Sequence, residues 1–255
     1  MTSKLRRGMV CAMLLLAVDQ STRFGSLALL ADDQPLAAAS WDGRNPARRD
    51  ISIFLPHLLK SADVSPDMIE LYCAGLGPGC FSGLRMSIAC FQAMALPRNR
   101  PVIGIPSCEA LAWQIGRATG KTRVAVAGDA RRGRLWLAVY EVRSAEAVAV
   151  VKPCLIEPAS LGSRLAGIAD ILVSPDDAGS LSTAGWKSTE IPFISAELGP
   201  TAESVGILAF HRFKSGRPAA PLRPIYMHPP TSSPAASPSV NTDCGGCSGT
   251  METEA

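Results

Sequence analysis

The sequence predicts an α/β fold in which mixed β-sheets are flanked by helices and the chain forms two related units. The first unit reads as three strands, then helix, strand, helix, strand and helix, an order typical of a mixed sheet covered by helices. A strand, an acidic turn and another strand open both units. With 255 residues, of which 47% are hydrophobic and 18% charged, the chain can bury a substantial core.

Three strands in a meander open the first unit. Residues 14–18 are a continuous apolar run, as expected of a fully buried strand. Residues 25–31 and 35–41 follow across short polar turns and read as its neighbours. We therefore expect the first of these strands to lie inside the core.

The longer apolar run of residues 9–18 admits a second interpretation. Basic residues precede it, as in a secretory signal peptide: Lys4, Arg6 and Arg7. The run continues directly into a polar turn and another apolar segment, which favours a buried strand. We expect residues 1–12 to be an extension before the fold, with Met13 as an alternative start.

Helices are expected after the meander. Apolar residues recur at helical spacing over residues 50–62, where Asp50 is a candidate N-cap. A second helix is predicted over residues 83–95, and Ser107 is predicted to cap a third helix over residues 108–117. The remaining strands of this unit are predicted at residues 69–76 and 102–105.

The second unit has a weaker pattern. Strands are predicted at residues 124–127 and 135–141, and a helix at residues 202–214. From residue 229 the composition shifts to Pro, Ser, Thr and Gly, which predicts disorder because little apolar surface is available to offset the ordering entropy. The predicted organisation is an extension at 1–12, subdomains at 13–118 and 119–228, and a tail at 229–255.

Charge and cysteine content narrow the functional classes. The net charge is +3, and no stripe of Lys and Arg marks a dedicated nucleic-acid surface. No run approaches the roughly 20 apolar residues of a membrane span. The eight cysteines match no disulfide framework, so we expect a reducing cytoplasm and no membrane.

An acidic turn stands between the first two strands and another between the strands of the second unit. Asp19, Ser21 and Thr22 form the first turn, and Asp129 begins the second. An acid and hydroxyls on a tight turn could hold a phosphate or its metal ion. The alternative, which we favour from these residues alone, is an ordinary polar hairpin turn.

A Gly-rich loop follows a predicted strand and precedes a predicted helix. Its distinctive residues are Gly77, Pro78, Gly79, Gly83 and Arg85. Glycines allow close backbone approach, and free amides at a helix start favour anions. The segment matches neither a Walker loop nor the dinucleotide fingerprint, so a tight structural crossover is the alternative.

The segment GPGCFSGLR resembles the GPGSFTGLR signature of the TsaB family. The turn sequence DARRG and the closing PLRPIY also resemble that family, and the resemblance covers residues 13–228. It implies the duplicated actin-like, ribonuclease-H-like fold. This agrees with the strand, acidic turn and strand that open both units.

The resemblance also implies a function. The family is paralogous to TsaD, which transfers a threonylcarbamoyl group from an adenylate to tRNA and binds metal through two histidines four residues apart. His57, His211 and His228 are not so spaced, and the paired glycines that bind adenine in actin-like ATPases are missing. The implied role is a non-catalytic scaffold that binds and stabilises TsaD and helps recruit TsaE, contacting tRNA only through the complex. It implies no cofactor or metal of its own, with ATP or ADP at a site shared with the partner.

The helix after the Gly-rich loop is apolar on two sides. One stripe comprises Leu84, Ile88, Phe91 and Ala95, and another comprises Met86, Cys90, Ala93 and Met94. One face can pack on the sheet while the other meets a second protein. The resemblance assigns the contact with TsaD to Leu58, Met86, Cys90 and Met94. A helix buried within its own domain is the alternative, and a homodimer through the same face is also open.

Two enzymatic alternatives remain. A stand-alone actin-fold ATPase or kinase would use Asp19 and Asp129 to hold the metal of a nucleotide. A glycoprotein peptidase would need a zinc site or an activated nucleophile, for which the sequence offers no candidate. Cys244 and Cys247 resemble half of a zinc or redox motif, but they lack a second pair.

Overall fold

The computed structural model describes residues 12–44, 51–176, 181–182, 190–195, 199–217 and 221–228. The predicted N-terminal extension, the Asp50 cap and the tail with Cys244 and Cys247 lie outside these residues. Within the described part of the chain, no helix combines the length and apolar composition that a membrane span requires.

The first sheet has five strands in the order β3-β2-β1-β4-β5. The first three strands are antiparallel neighbours, whereas β4 runs parallel to β1 and β5 runs parallel to β4. The apolar run of residues 14–18 thus forms the central strand, as its composition predicts. The strands are β1 (Leu14–Asp19), β2 (Phe24–Ala31), β3 (Gln34–Asp42), β4 (Leu71–Gly75) and β5 (Val102–Ile105).

The second sheet repeats this topology. Its order is β10-β9-β6-β7-β8, so β6, β7 and β8 form an antiparallel meander and β9 and β10 add parallel strands beside β6. Two sheets with the same connectivity confirm the predicted duplicated, actin-like fold. The strands are β6 (Arg123–Arg131), β7 (Arg134–Val142), β8 (Ala147–Ile156), β9 (Ile171–Ser174) and β10 (Phe193–Ser195).

Helices cover both faces of each sheet. Two helices share one face of the first sheet with a core that includes Leu16, Leu29 and Phe91. A short helix packs on the outer face of the second sheet. The helices are α1 (Ile51–Ser61), α2 (Phe81–Ala95), α3 (Ser107–Thr119), α4 (Leu161–Leu165) and α5 (Ala202–Lys214).

Helices α3 and α5 lie between the two sheets. Helix α5 packs Val205 and Ala209 against the first sheet, although it follows the second sheet in sequence. Helix α3 packs Leu111 and Ile115 against the second sheet, while its Ala110 joins the core of the first. This central layer joins the two halves and brings the start of α3 close to the end of β1.

Candidate functional site

The first acidic turn is closed over by the chain itself. Asp19 ends β1 and is fully buried. Its Oδ1 accepts hydrogen bonds from the amide of Ser21 (2.8 Å) and the hydroxyl of Ser21 (2.6 Å). Its Oδ2 accepts one from the hydroxyl of Ser107 (2.6 Å). Both carboxylate oxygens are therefore bonded within the protein.

Ser107 connects three segments at this point. Its hydroxyl donates to Asp19 and accepts from the amide of Gly77 (2.9 Å), while its own amide donates to the Gly77 carbonyl (2.7 Å). The prediction that Ser107 caps α3 is wrong, because Pro106 occupies the N-cap position and no side chain caps the helix. The hydroxyl instead serves the buried carboxylate.

Glycines let the Gly-rich loop lie against this turn. A Cβ on Gly79 would overlap the carbonyl of Ser21, and one on Gly83 would overlap the carbonyl of Gln20. The amide of Cys80 donates to the Ser21 carbonyl at 2.6 Å. These close approaches explain the glycines as packing requirements. The space that the two glycines leave is filled by the turn.

Burial also sets the electrostatics of the first turn. Desolvation raises the pKa of Asp19, and the hydrogen bonds from Ser107 and Ser21 oppose that rise. Thr22, the third residue predicted here, is half-buried and exchanges hydrogen bonds with the backbone of Phe24 at 3.1 Å. The nucleotide-facing role of these residues stays a prediction.

The second acidic turn is more open. Asp129 accepts hydrogen bonds from the amide (2.7 Å) and the guanidinium (2.9 Å) of Arg131, while its own amide donates to Asp176 (2.7 Å). The turn around it includes two positive-φ residues besides glycine, Arg131 and Arg132. Asp129 is thus held in a local turn, and its role toward a nucleotide stays a prediction.

The closing segment of the described chain docks on the Gly-rich loop. The amide of Ile225 donates to the carbonyl of Leu76 at 2.8 Å, and the Ile225 side chain packs on the first core. The Nε of Arg85 donates to the hydroxyl of Tyr226 at 2.7 Å. The Arg85 guanidinium also lies 4.0 Å from the ring centroid of Phe81. The signature and PLRPIY motifs, more than 130 residues apart, meet in one structural unit.

The predicted partner residues divide into two groups. Leu58 is only 4% exposed and belongs to the first core, so its contact with a partner stays a prediction that its burial does not support. Met86 is 40% exposed, whereas Cys90 and Met94 are half-buried and pack partly against the first core. Helix α2 therefore has an outward apolar side in addition to the stripe that packs on the sheet. Whether that side contacts TsaD stays a prediction.

A second polar cluster, which the sequence reasoning did not identify, lies where α3, α5 and the β7–β8 turn meet. Glu109 is buried and bonds Arg212 at 2.5 Å beside a cavity of about 500 Å³. Burial raises the Glu109 pKa to about 7, and the Arg212 charge opposes that rise. Arg143 and Arg217 pair with Glu146 at its rim.

Sequence reasoning also missed Ser107 as a partner of Asp19, and Phe81 and Tyr226 as partners of Arg85. Phe81 and Tyr226 lie within the GPGCFSGLR and PLRPIY motifs, which is the only sequence signal for them, and Ser107 lies in none of the motifs. Within the described ranges, no group of three His, Cys, Asp or Glu residues converges as a metal site would require.

Known proteins resemble this chain in sequence and in structure. A family model described as TsaD, tRNA N6-adenosine threonylcarbamoyltransferase, matches residues 48–170. A relative from Escherichia coli, tRNA threonylcarbamoyladenosine biosynthesis protein TsaB, is 31% identical over 56% of this chain. The crystal structure of YeaZ from Pseudomonas aeruginosa covers 84% of this chain and 99% of its own, with a TM-score of 0.70 and 26% identity. The chain is thus similar in sequence to TsaB proteins and in structure to YeaZ proteins.

The relatives in the TsaB family are matched only in part. The matched region spans 64% of the Escherichia coli TsaB and 57% of the Bacillus subtilis TsaB, which is 26% identical over 52% of this chain. The chain thus spans less than two thirds of the length of the curated relatives it matches. A second Pseudomonas aeruginosa structure, of a protein similar to peptidase YeaZ, is covered fully with a TM-score of 0.71 and 26% identity.

Proposed function

We propose that this protein is a non-catalytic subunit in the biosynthesis of threonylcarbamoyladenosine on tRNA. In this role it binds and stabilises TsaD, helps recruit TsaE, and meets tRNA only as part of the complex. The names of its relatives in Escherichia coli and Bacillus subtilis support the process. The buried first turn and the surface of α2 support the role as a subunit.

One observation carries the non-catalytic role. The carboxylate of Asp19 is buried, both of its oxygens accept hydrogen bonds from Ser21 or Ser107, and the Gly-rich loop lies against its turn. A carboxylate that holds the metal of a nucleotide needs a free oxygen facing the ligand. Opening this turn would leave buried polar groups without partners, at about 1–3 kcal/mol each.

The outer side of α2 supports the binding role. Met86 is exposed, and Cys90 and Met94, which also pack against the first core, continue the same stripe of α2 as a half-buried apolar strip. Methionine adapts its shape to irregular partner surfaces, and an exposed apolar strip commonly marks a protein contact. We assign this strip to TsaD, with nucleotide at a site that the two proteins share.

Substitution on this strip tests the proposal. The Met86→Asp variant of the full chain should bind TsaD of the same organism at least tenfold more weakly than the unsubstituted chain. The reason is that the partner would cover an unpaired charge. Isothermal titration calorimetry at micromolar concentration measures the affinity.

The matched control is Val150→Asp, an equally drastic change at a half-exposed valine of β8 in the other sheet. Its affinity should equal that of the unsubstituted chain, and both variants should keep the melting temperature. Absence of any association between the unsubstituted chain and TsaD overturns the proposal. If Met86→Asp and Val150→Asp lose affinity for TsaD equally, α2 is not the contact surface.

A further inference from the structure

The guanidinium of Arg85 is held in one place by two aromatic rings. Its carbon lies 4.0 Å from the centroid of Phe81 and 5.7 Å from that of Tyr226. Its Nε donates to the Tyr226 hydroxyl at 2.7 Å, and the two rings are 5.3 Å apart. A long side chain normally loses rotamer entropy when it binds. The two rings already restrict the rotamers of Arg85, so this side chain has less rotamer entropy left to lose when it binds.

The charge on this guanidinium has no partner of opposite sign among the residues that the structure describes. Among the described residues, Arg85 forms no ion pair with a carboxylate, and its two terminal amino groups have no hydrogen-bond partner. Helices α1 and α2 contain Lys60 and Arg85 but no Asp or Glu. This side of the first subdomain therefore combines apolar surface with positive charge.

The surroundings of Arg85 resemble the centre of a protein interface. Phe81 is 54% exposed, Tyr226 43% and Met86 40%. Arginine, tyrosine, phenylalanine and methionine are enriched at interface cores, and arginine and tyrosine are frequent energetic hot spots. Phe81 and Arg85 stand four residues apart and so share one stripe of α2, while Met86 points about 100° around the helix from Arg85.

We propose that Arg85, clamped by Phe81 and Tyr226, binds a carboxylate of the protein partner and determines specificity for it. This inference rests on the proposed function, since it concerns the same helix, α2. A partner that covers the exposed rings of Phe81 and Tyr226 also covers the guanidinium that lies against them, and a buried charge without a counter-charge is costly. The carboxylate of an Asp or Glu on the partner can accept hydrogen bonds from both terminal amino groups, in the bidentate geometry that arginine favours.

A second copy of this chain fits the face less well. A symmetric dimer places the same patch on both sides, so α1 and α2 would meet α1 and α2. Neither helix offers a carboxylate to Arg85, and the positive charges would face one another. Charge complementarity therefore favours an acidic partner of different sequence.

The test compares affinities for TsaD by calorimetry at low and moderate salt. Arg85→Glu should weaken binding by about 30-fold or more, the range for one member of a buried charge pair. Arg85→Lys keeps the charge but loses the planar fork, so an intermediate loss is expected. The control is Arg164→Glu, at an exposed arginine of α4 on the second subdomain.

A double-mutant cycle separates the clamp from a structural effect. Tyr226→Phe should weaken binding severalfold in the unsubstituted chain and have no effect in the Arg85→Ala background, because the hydroxyl acts only through Arg85. Melting temperatures show that each variant is folded. If Arg85→Glu misfolds, Arg85→Gln takes its place with the same expected direction.

Three results overturn the inference. The first is a TsaD affinity for Arg85→Glu within twofold of the control. The second is an equal effect of Tyr226→Phe with and without Arg85. Both leave the proposed function standing, since the unsubstituted chain still binds. The third is no binding by the unsubstituted chain, which removes the proposed function as well.

Discussion

The buried residues at the end of β1 show how one side chain can join distant parts of a chain. Ser107 bonds both Asp19 and Gly77, so a single hydroxyl ties β1, the Gly-rich loop and α3 together. From sequence, Asp19 reads as part of a polar hairpin turn that could also hold a phosphate or metal, and Ser107 reads as a cap, because both residue types favour turns and helix starts. The true arrangement depends on contacts across 88 positions, which no local pattern reports.

Removing this hydroxyl should destabilise the fold. In Ser107→Ala, the Gly77 amide loses its acceptor and Asp19 loses one donor within the core. We expect the free energy of unfolding to fall by about 1–3 kcal/mol, measured by urea denaturation. Ser163→Ala, at an exposed serine of α4, should change it by less than about 0.5 kcal/mol. Equal stability of the two variants would contradict this role.

The buried Glu109 should make stability depend on pH. Because burial raises its pKa to about 7 from 4.5, the folded state holds the proton more tightly than the unfolded chain. Its contribution to stability is complete below pH 4.5 and is lost as pH rises through 7. The unfolding free energy of the unsubstituted chain minus that of Glu109→Gln should fall by about 3 kcal/mol between pH 4.5 and 8. A difference that does not change with pH would contradict this assignment.

Whole elements were predicted where a single pattern dominates. The predicted bounds of β5 and α5 match the structure, because each element combines a clear apolar pattern with a sharp beginning and end. Strands β8, β9 and β10 were missed. The exposure of β8 does not alternate, while β9 and β10 have only four and three residues. Such strands are stabilised by their neighbours in the sheet rather than by their own sequence.

Close packing between the start of α2 and the first turn should tolerate no extra methyl group. A Cβ at Gly83 would overlap the carbonyl of Gln20, so Gly83→Ala should cost about 1–3 kcal/mol of unfolding free energy. Gly162→Ala in α4 is the matched control, since a Cβ there meets nothing within 4 Å. The control should be neutral or stabilising by up to about 1 kcal/mol. Circular dichroism during denaturation measures the stability of Gly83→Ala and Gly162→Ala. Equal stability of these variants would contradict close packing of Gly83 against the Gln20 carbonyl.

At the scale of the molecule, the duplicated fold was predictable but the central layer was not. The paired strand, acidic turn and strand predict two related units, which the two matching sheets confirm. Nothing in the local pattern of α5 reveals that Val205 and Ala209 return to the first sheet. An amphipathic helix reports that one face is buried, and it carries no information about which surface buries it.

The returning helix should be essential for the first half. A chain ending at residue 198 loses α5 and exposes apolar side chains of β1 and β2, including Leu15, Ala28 and Leu30. We expect it to aggregate or to bind a hydrophobic dye without cooperative unfolding. A chain ending at residue 228 keeps all described elements and should unfold cooperatively. Cooperative unfolding of the shorter chain would contradict the central position of α5.

In the proposed function, this chain acts as a partner rather than as the catalyst. A reconstituted reaction of TsaD and TsaE, with and without this chain, tests this role through the amount of threonylcarbamoyladenosine formed on tRNA. We expect strong stimulation by the unsubstituted chain and loss of that stimulation in Met86→Asp, in proportion to its weaker binding. Full product formation without the chain, or full stimulation by a Met86→Asp variant that does not bind TsaD, would contradict it.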